Sequence, residues 1–292
     1  MSYFFIINPC AGKDSAAQVP ELIHDFFKGR RLRYELAFTE RRGHAGELSR
    51  RAVINGFSHI VAAGGDGTIC EAAESLIGKT QALGILPIGS GNGLARNLYI
   101  PLKIEEALNG VLQWRPRKID AGLANGKPFF CAAGVGLDAE VARIFNNRTG
   151  GRRGILPYVY HCAVTFLTYR PRAVVIAMNG HRYEFSPMVT AVLNGRQYGG
   201  GATIAPDAYI DDGILSVVVV KKAGILRTLR AVPDLFNGKL PRNKDLVANF
   251  TARTIELTCP AGSPYHLDGE DFESDGNLKF SVLRQVLNVH AP

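Results

Sequence analysis

Gly64-Gly65-Asp66-Gly67-Thr68 sets a carboxylate inside a glycine-rich turn. The apolar run His59–Ala63 leads into it, and Ile69, Ala72, Ala73 and Leu76 follow at helical spacing. A strand-to-helix turn of this kind lets backbone N–H groups approach an anion, and the helix dipole favours phosphate there. Asp66 would repel that phosphate unless a metal cation or a hydroxyl proton lay between them. The combination predicts phosphoryl transfer from a nucleotide. The same residues also read as a tight turn, since glycine supplies positive φ and Asp is a favoured helix cap. Two further glycine-bearing turns follow strand-like runs, Asn8–Lys13 and Gly89–Gly93.

The elements around these turns change character along the chain. Up to about residue 125, strand-like runs (Phe4–Asn8, Tyr34/Leu36/Phe38, Ile60–Ala63, Leu83–Ile88) alternate with helical stretches near 15–28, 44–55, 68–77 and 93–98. Alternation of this kind predicts βαβ units in a doubly wound, mostly parallel sheet. Ligands of such sheets gather beyond the carboxyl ends of the strands, where all three turns would lie. From about 128 the pattern becomes period-two strands: 173–179, 188–194, 214–220, 253–258 and 278–283. Turn dipeptides separate them: Asn179-Gly180, Asn194-Gly195, Asp212-Gly213 and Asp268-Gly269. This half predicts an antiparallel sandwich or barrel, with helical insertions at Ile155–Tyr169 and Gly224–Phe236. The expected division is 1–125, a nucleotide-binding α/β domain, and 126–284, a β-sandwich for the acceptor. Residues 285–292 are expected to pack back onto the first domain, and the site to lie in the cleft between the halves.

Bulk properties narrow the function classes. The 292 residues are 46% hydrophobic and 21% charged, as in ordinary globular proteins, and no apolar run is long enough to span a bilayer. Five cysteines at irregular spacing and seven scattered histidines give neither a disulfide framework nor a zinc pattern. With no signal-peptide pattern, a cytoplasmic setting is expected. The net charge of +8 points to anionic partners. No helix-turn-helix, zinc-finger or RNP signature accompanies it, so peripheral contact with an anionic membrane is expected and nucleic acid is not. A homodimer is left open. Walker A and the protein-kinase His-Arg-Asp set are missing, which removes those kinase routes.

Several segments then fall in a recognisable order. Asn8-Pro9 with Gly12-Lys13, Thr39 with Gly43-His44-Ala45, Gly64–Thr68 followed by Glu71, and Pro87–Asn92 occupy the first half. Asp120 sits in an Ile-Asp-x-Gly segment, and Gly134–Ala139 opens the second half. Asn194-Gly195, Gly199-Gly200-Gly201, Ala205–Ala208, Asp211-Asp212-Gly213 and Asp268-Gly269-Glu270 follow. In register along the whole chain, these resemble the diacylglycerol-kinase-type catalytic domain shared by bacterial lipid kinases, sphingosine kinases and ceramide kinases. The resemblance implies a Rossmann-like first domain akin to phosphofructokinase and NAD kinase, and an all-β sandwich second domain. It implies transfer of the γ-phosphoryl group of ATP, with Mg²⁺, to a lipid hydroxyl such as that of diacylglycerol or a sphingoid base.

Roles follow from the residues and from that resemblance together. Backbone amides of Gly64, Gly65, Asp66, Gly67 and Thr68 suit ATP phosphates, as does the Thr68 hydroxyl. Thr39 and Ser90 add short donors, and Asn8 can bond across the first turn. Gly12 and Glu71 join this nucleotide set through their motifs. Asp66 is the candidate for engaging Mg²⁺ or the acceptor hydroxyl. The resemblance makes Glu270 the base that takes the alcohol proton, and implies a structural divalent cation held by Asp212 with the backbone oxygens of Tyr209 and Ile214. One departure stands out: bacterial diacylglycerol kinases carry Asp directly after the Asn of the third turn, whereas here Gly93 follows Asn92. The Gly-Ser-Gly-Asn-x-Leu-Ala form resembles sphingosine and ceramide kinases instead. Two rivals remain open, a soluble-substrate NAD kinase-like enzyme and an inactive lipid- or nucleotide-binding relative.

Overall fold

A computed structural model describes residues 1–12, 14–146 and 165–292. Of the expected helical insertion at 155–169, residues 155–164 lie outside the described residues, and 165–168 form a helical turn. The chain divides into two units, Met1–Asp120 with Arg284–Pro292, and Ala121–Leu283.

Unit 1 is built on the parallel strands β1 (Ser2–Ile7), β2 (Arg33–Phe38), β3 (His59–Gly64) and β4 (Ala82–Pro87), in the order β2-β1-β3-β4. The end of the last strand, β18 (Asn277–His290), joins β4 in parallel through Asn288 and Val289. Phe4, Phe5, Ile6 and Ile7 of β1, and Ile60, Val61 and Ala62 of β3, are all buried. Continuous apolar runs of this sort belong to parallel strands covered on both faces. Helices α1 (Asp14–Phe27), α2 (His44–Ile54), α3 (Asp66–Glu74) and α4 (Gly93–Asn97) connect the strands, and α5 (Ile104–Gln113) adds a helix that the sequence reading left unassigned. Alpha-1 packs with α5, and α2 with α3. The chain moves from β1 to β2 on one side and then to β3 on the other, so the order reverses at β1.

Unit 2 is a sandwich of two sheets. One holds β8 (Val174–Met178), β9 (His181–Phe185), β15 (Thr254–Thr258) and the first part of β18, with the hairpin made by the end of β5 (Pro116–Ala124) and β6 (Lys127–Phe129). The other holds β7 (Ala132–Gly136), β10 (Pro187–Leu193), β13 (Leu215–Lys221), β14 (Val247–Ala252), β16 (Pro264–Leu267) and β17 (Glu270–Glu273). Its order is β14-β13-β10-β7-β16-β17, antiparallel throughout, and β11 (Gln197–Gly199) pairs separately with β12 (Ala202–Thr203). Alternate residues of both sheets form one core, including Phe129, Ile176, Val217, Leu257 and Phe280. Asn125-Gly126, Asn179-Gly180 and Asp268-Gly269 all have positive φ at both positions, as two-residue hairpins of this twist require. Asn194-Gly195 differs from its expected hairpin role. Asn194 is buried, takes the Cys131 carbonyl with its N–H and gives its side-chain amide to the Phe130 carbonyl. A helix not foreseen, α6 (Leu137–Asn146), follows β7 directly. Among the described residues no helix is long and apolar enough to cross a membrane.

Candidate functional site

The carboxyl ends of β1 and β3 flank the point where the strand order reverses, the place where open α/β sheets bind ligands. Side chains stitch the turns together there. Asn8 Nδ2 donates to Thr68 Oγ1 at 2.9 Å, while Asn8 Oδ1 accepts from Cys10 N at 2.9 Å. Gly12 has φ of +61°, and a Cβ on it would strike the Ile88 carbonyl. A Cβ on Gly89 would run into the Gly65 backbone. Asn92, itself left-handed at φ 54°, closes its turn by accepting from Gly89 N (3.0 Å) and donating to Gly89 O (2.9 Å). The three turns therefore form one interlocked surface.

Asp66 lies in the first turn of α3 and accepts from Gly93 N, the first residue of α4, at 2.6 Å. Its carboxylate thus sits at two helix N-termini at once, where the helix dipoles favour negative charge. Gly93 supplies the N–H for that bond. The N-cap of α3 is Gly65, which has no side chain to cap it, so the helix mouth is formed by backbone amides. Gly67 and Ser90 are exposed there, whereas Gly64 and Thr68 are buried. Thr68 works from beneath, as the bracket that receives Asn8. Thr39 is half-buried, and its N–H continues the sheet by bonding Ile7 O at 2.9 Å. Glu71 serves another end: its two oxygens accept from Gly43 N (2.7 Å) and Ala45 N (3.1 Å), capping α2, whose own N-cap is a glycine. It positions the segment after Thr39 by holding α2. Such a surface suits the oxygens of a polyphosphate. Among the described residues no group of three or more His, Cys, Asp or Glu gathers to hold a metal. Mg²⁺ asks for less, one or two carboxylates with phosphate oxygens and water, and Asp66 meets that need.

In unit 2, Glu270 is half-buried at the start of β17, immediately after the Asp268-Gly269 turn. Asp268 is an anchor: Oδ1 accepts from Cys131 N and Ala132 N, both at 2.9 Å, and Oδ2 from Phe130 N at 2.7 Å. Three amides on one carboxylate fix the turn that carries Glu270. Asp212 is exposed and its Oδ1 accepts from Ile214 N at 2.9 Å, an Asx-type turn, while Tyr209 stands exposed nearby in sequence. Asp120, in unit 1, is fully buried and accepts from Gln285 N at 2.6 Å, which ties the returning chain end.

One constellation escaped the sequence reading. Tyr198 O–H donates to Asp138 Oδ2, His266 Nε2 lies 3.1 Å from the same oxygen, and Tyr198 and His266 are 2.7 Å apart. Gly269 N donates to His266 Nδ1 at 3.4 Å, so the imidazole carries its proton on Nε2, toward Asp138. Asp138 Oδ1 is buried without a partner among the described residues. Gly134 makes the arrangement possible, since a Cβ there would land on all three polar groups. Nearby, burial and then the carboxylates of Asp138 and Glu140 push the Tyr169 phenol up to about 12. Asp138 stands in the Gly134–Ala139 motif, yet 128 residues separate it from His266, and no spacing rule joins them.

Comparison with known proteins follows the same division. Residues 2–124 match the diacylglycerol kinase catalytic domain, and residues 131–291 match the YegS C-terminal NAD kinase beta sandwich-like domain. A Pseudomonas putida protein named "Probable lipid kinase YegS-like" is 31% identical over 86% of this chain and 82% of its own. One of the same name from Yersinia enterocolitica is 30% identical over 87% and 86%. A crystal structure of a diacylglycerol kinase from Bacillus anthracis str. Sterne has a similar fold, with a TM-score of 0.75 at 21% identity, covering 100% of this chain and 97% of that one.

Proposed function

Because the chain belongs to the YegS-like lipid kinase family, we propose that it transfers the γ-phosphoryl group of ATP to the hydroxyl of a lipid. The observation that carries this reading is Asp66, held between the N-termini of α3 and α4 in a surface of interlocked backbone amides. Phosphoryl transfer needs little covalent chemistry from the protein; it needs fixed geometry and neutralised charge. Amides of Gly65, Asp66 and Gly67 hold phosphate oxygens, and the exposed Ser90 hydroxyl adds a donor. Asp66 would hold Mg²⁺, which would neutralise charge on the phosphates. Glu270 accepts the proton of the acceptor alcohol, kept in place by the triply bonded Asp268. Asp138 Oδ1, a buried acceptor with no partner among the described residues, receives a donor on the lipid's polar head. The acceptor class follows from the family; diacylglycerol and a sphingoid base are the two candidates, and Gly93 favours the second by resemblance.

A lipid panel with labelled ATP tests the reading. Glu270→Gln should bind ATP as the native protein does, yet lose phosphorylated lipid by about 100-fold or more, the usual contribution of a general base. Full turnover in that variant removes Glu270 from the mechanism. Product from NAD rather than from lipid micelles would overturn the lipid assignment.

A further inference from the structure

The helix Ile225–Phe236 has its amphipathic pattern turned outward. Ile225, Leu229, Val232 and Phe236 recur at i, i+4, i+7 and i+11, with Leu226 beside them, and are 56%, 61%, 44%, 54% and 65% exposed in that order. None of the helix's residues is buried. Its half-buried residues are Thr228, Ala231, Asp234 and Leu235, and it packs on the Ala202–Thr203 strand and the short turn Leu240–Arg242. Arg227 Nη2, paired with Asp245 Oδ2 at 2.8 Å, fastens it to the following loop. A surface helix ordinarily turns its apolar stripe to the core. Here the apolar stripe faces water, as in helices that lie in the plane of a membrane interface.

Charge identifies the occupant. Between residues 221 and 245 stand Lys221, Lys222, Arg227, Arg230, Lys239, Arg242 and Lys244, against Asp234 and the Asp245 that pairs with Arg227. Lys222, Arg230, Lys239, Arg242 and Lys244 are exposed. A second copy of this chain would bring the same cations to the contact, and like charges set face to face oppose association. An anionic leaflet attracts each of them. We infer that this helix docks the protein onto an anionic lipid bilayer, its apolar stripe at the acyl boundary and its basic neighbours among the headgroups. The inference stands apart from the kinase reading, since docking requires neither nucleotide nor turnover.

Co-sedimentation of the full chain with phosphatidylcholine vesicles, with and without phosphatidylglycerol, tests it. The native protein should bind the anionic vesicles, release at high salt, and leave pure phosphatidylcholine largely unbound. Leu229→Glu/Phe236→Glu should weaken binding roughly 100-fold, about tenfold for each apolar side chain withdrawn. Lys222→Ala/Lys239→Ala should weaken it less and flatten the salt response. All four side chains are exposed, so melting curves should match the native protein and separate lost docking from lost folding. Undiminished binding by the glutamate variant overturns the inference. Equal affinity for neutral vesicles does so too, as does a dimer in sedimentation velocity that the glutamate variant breaks while vesicles go unbound.

Discussion

Asp268 and Glu270 are neighbours in a conspicuous acidic turn, yet the structure gives them opposite duties. Asp268 accepts three backbone N–H bonds, and Glu270 begins the next strand half-buried. Removing the Asp268 carboxylate leaves Phe130, Cys131 and Ala132 amides without their acceptor. Hydrogen bonds to charged groups contribute about 1.5–3 kcal/mol each, with partial replacement by water. Asp268→Ala should therefore lower stability by about 3 kcal/mol in urea melts, whereas Glu270→Gln should leave the midpoint nearly unchanged. Equal midpoints for the two variants would show that the three hydrogen bonds do not anchor the turn. Gly134 belongs to the same scale: Gly134→Ala places a methyl among Asp138, Tyr198 and His266, and overpacking of this kind costs about 1–3 kcal/mol.

At the scale of elements, the nucleotide surface depends on how closely three strand-to-helix turns approach. Gly67 and Gly89 separate two reasons for glycine there. A Cβ on Gly67 meets nothing within 4 Å, and its position within α3 suits Ala, so Gly67→Ala should gain up to about 1 kcal/mol of stability. The same methyl stands at the mouth of the helix and should weaken ATP binding. A Cβ on Gly89 presses on Gly65 and on Asn92 Oδ1, so Gly89→Ala should lose both stability and ATP affinity. Calorimetric titration beside thermal melts reads the two effects apart; parallel losses in both variants would contradict this division. Sequence reading found these turns because strand, glycine run and helix lie adjacent along the chain. Helix α6 was equally legible, since Leu137, Val141 and Ile144 recur at i, i+4 and i+7, but it lies in a half whose other segments read as strands. The motif places Glu71 beside the nucleotide turn but does not show its hold on the Gly43 and Ala45 amides at the start of α2, which only the fold brings near. The Asp138–Tyr198–His266 cluster was illegible for the same reason, since only folding brings its members together.

For the whole molecule, the returning strand β18 is bound to β3 by a pair of histidines. His290 Nδ1 lies 2.9 Å from the Trp114 carbonyl, which can only accept, so that nitrogen carries the proton and Nε2 is left as an acceptor. His59 Nδ1, 2.9 Å from that Nε2, must then be the donor, and its ring stacks on Tyr3 at 4.6 Å. Burial, and then the neighbouring His290, lowers His59 to about 4, and burial lowers His290 as well. Both rings are held neutral in the fold, whereas an unfolded chain protonates them near 6.5. Above that pH neither state binds the proton and the stabilisation is complete. As pH falls from about 6.5 toward 4, the unfolded chain gains protons that the folded chain refuses, and stability declines through this window. Melting temperature should fall correspondingly in circular-dichroism scans from neutral to mildly acid pH. His59→Phe keeps a ring against Tyr3 but removes one titrating site, so its melting temperature should depend less on pH across the window. Parallel curves for native protein and variant would place the acid sensitivity elsewhere.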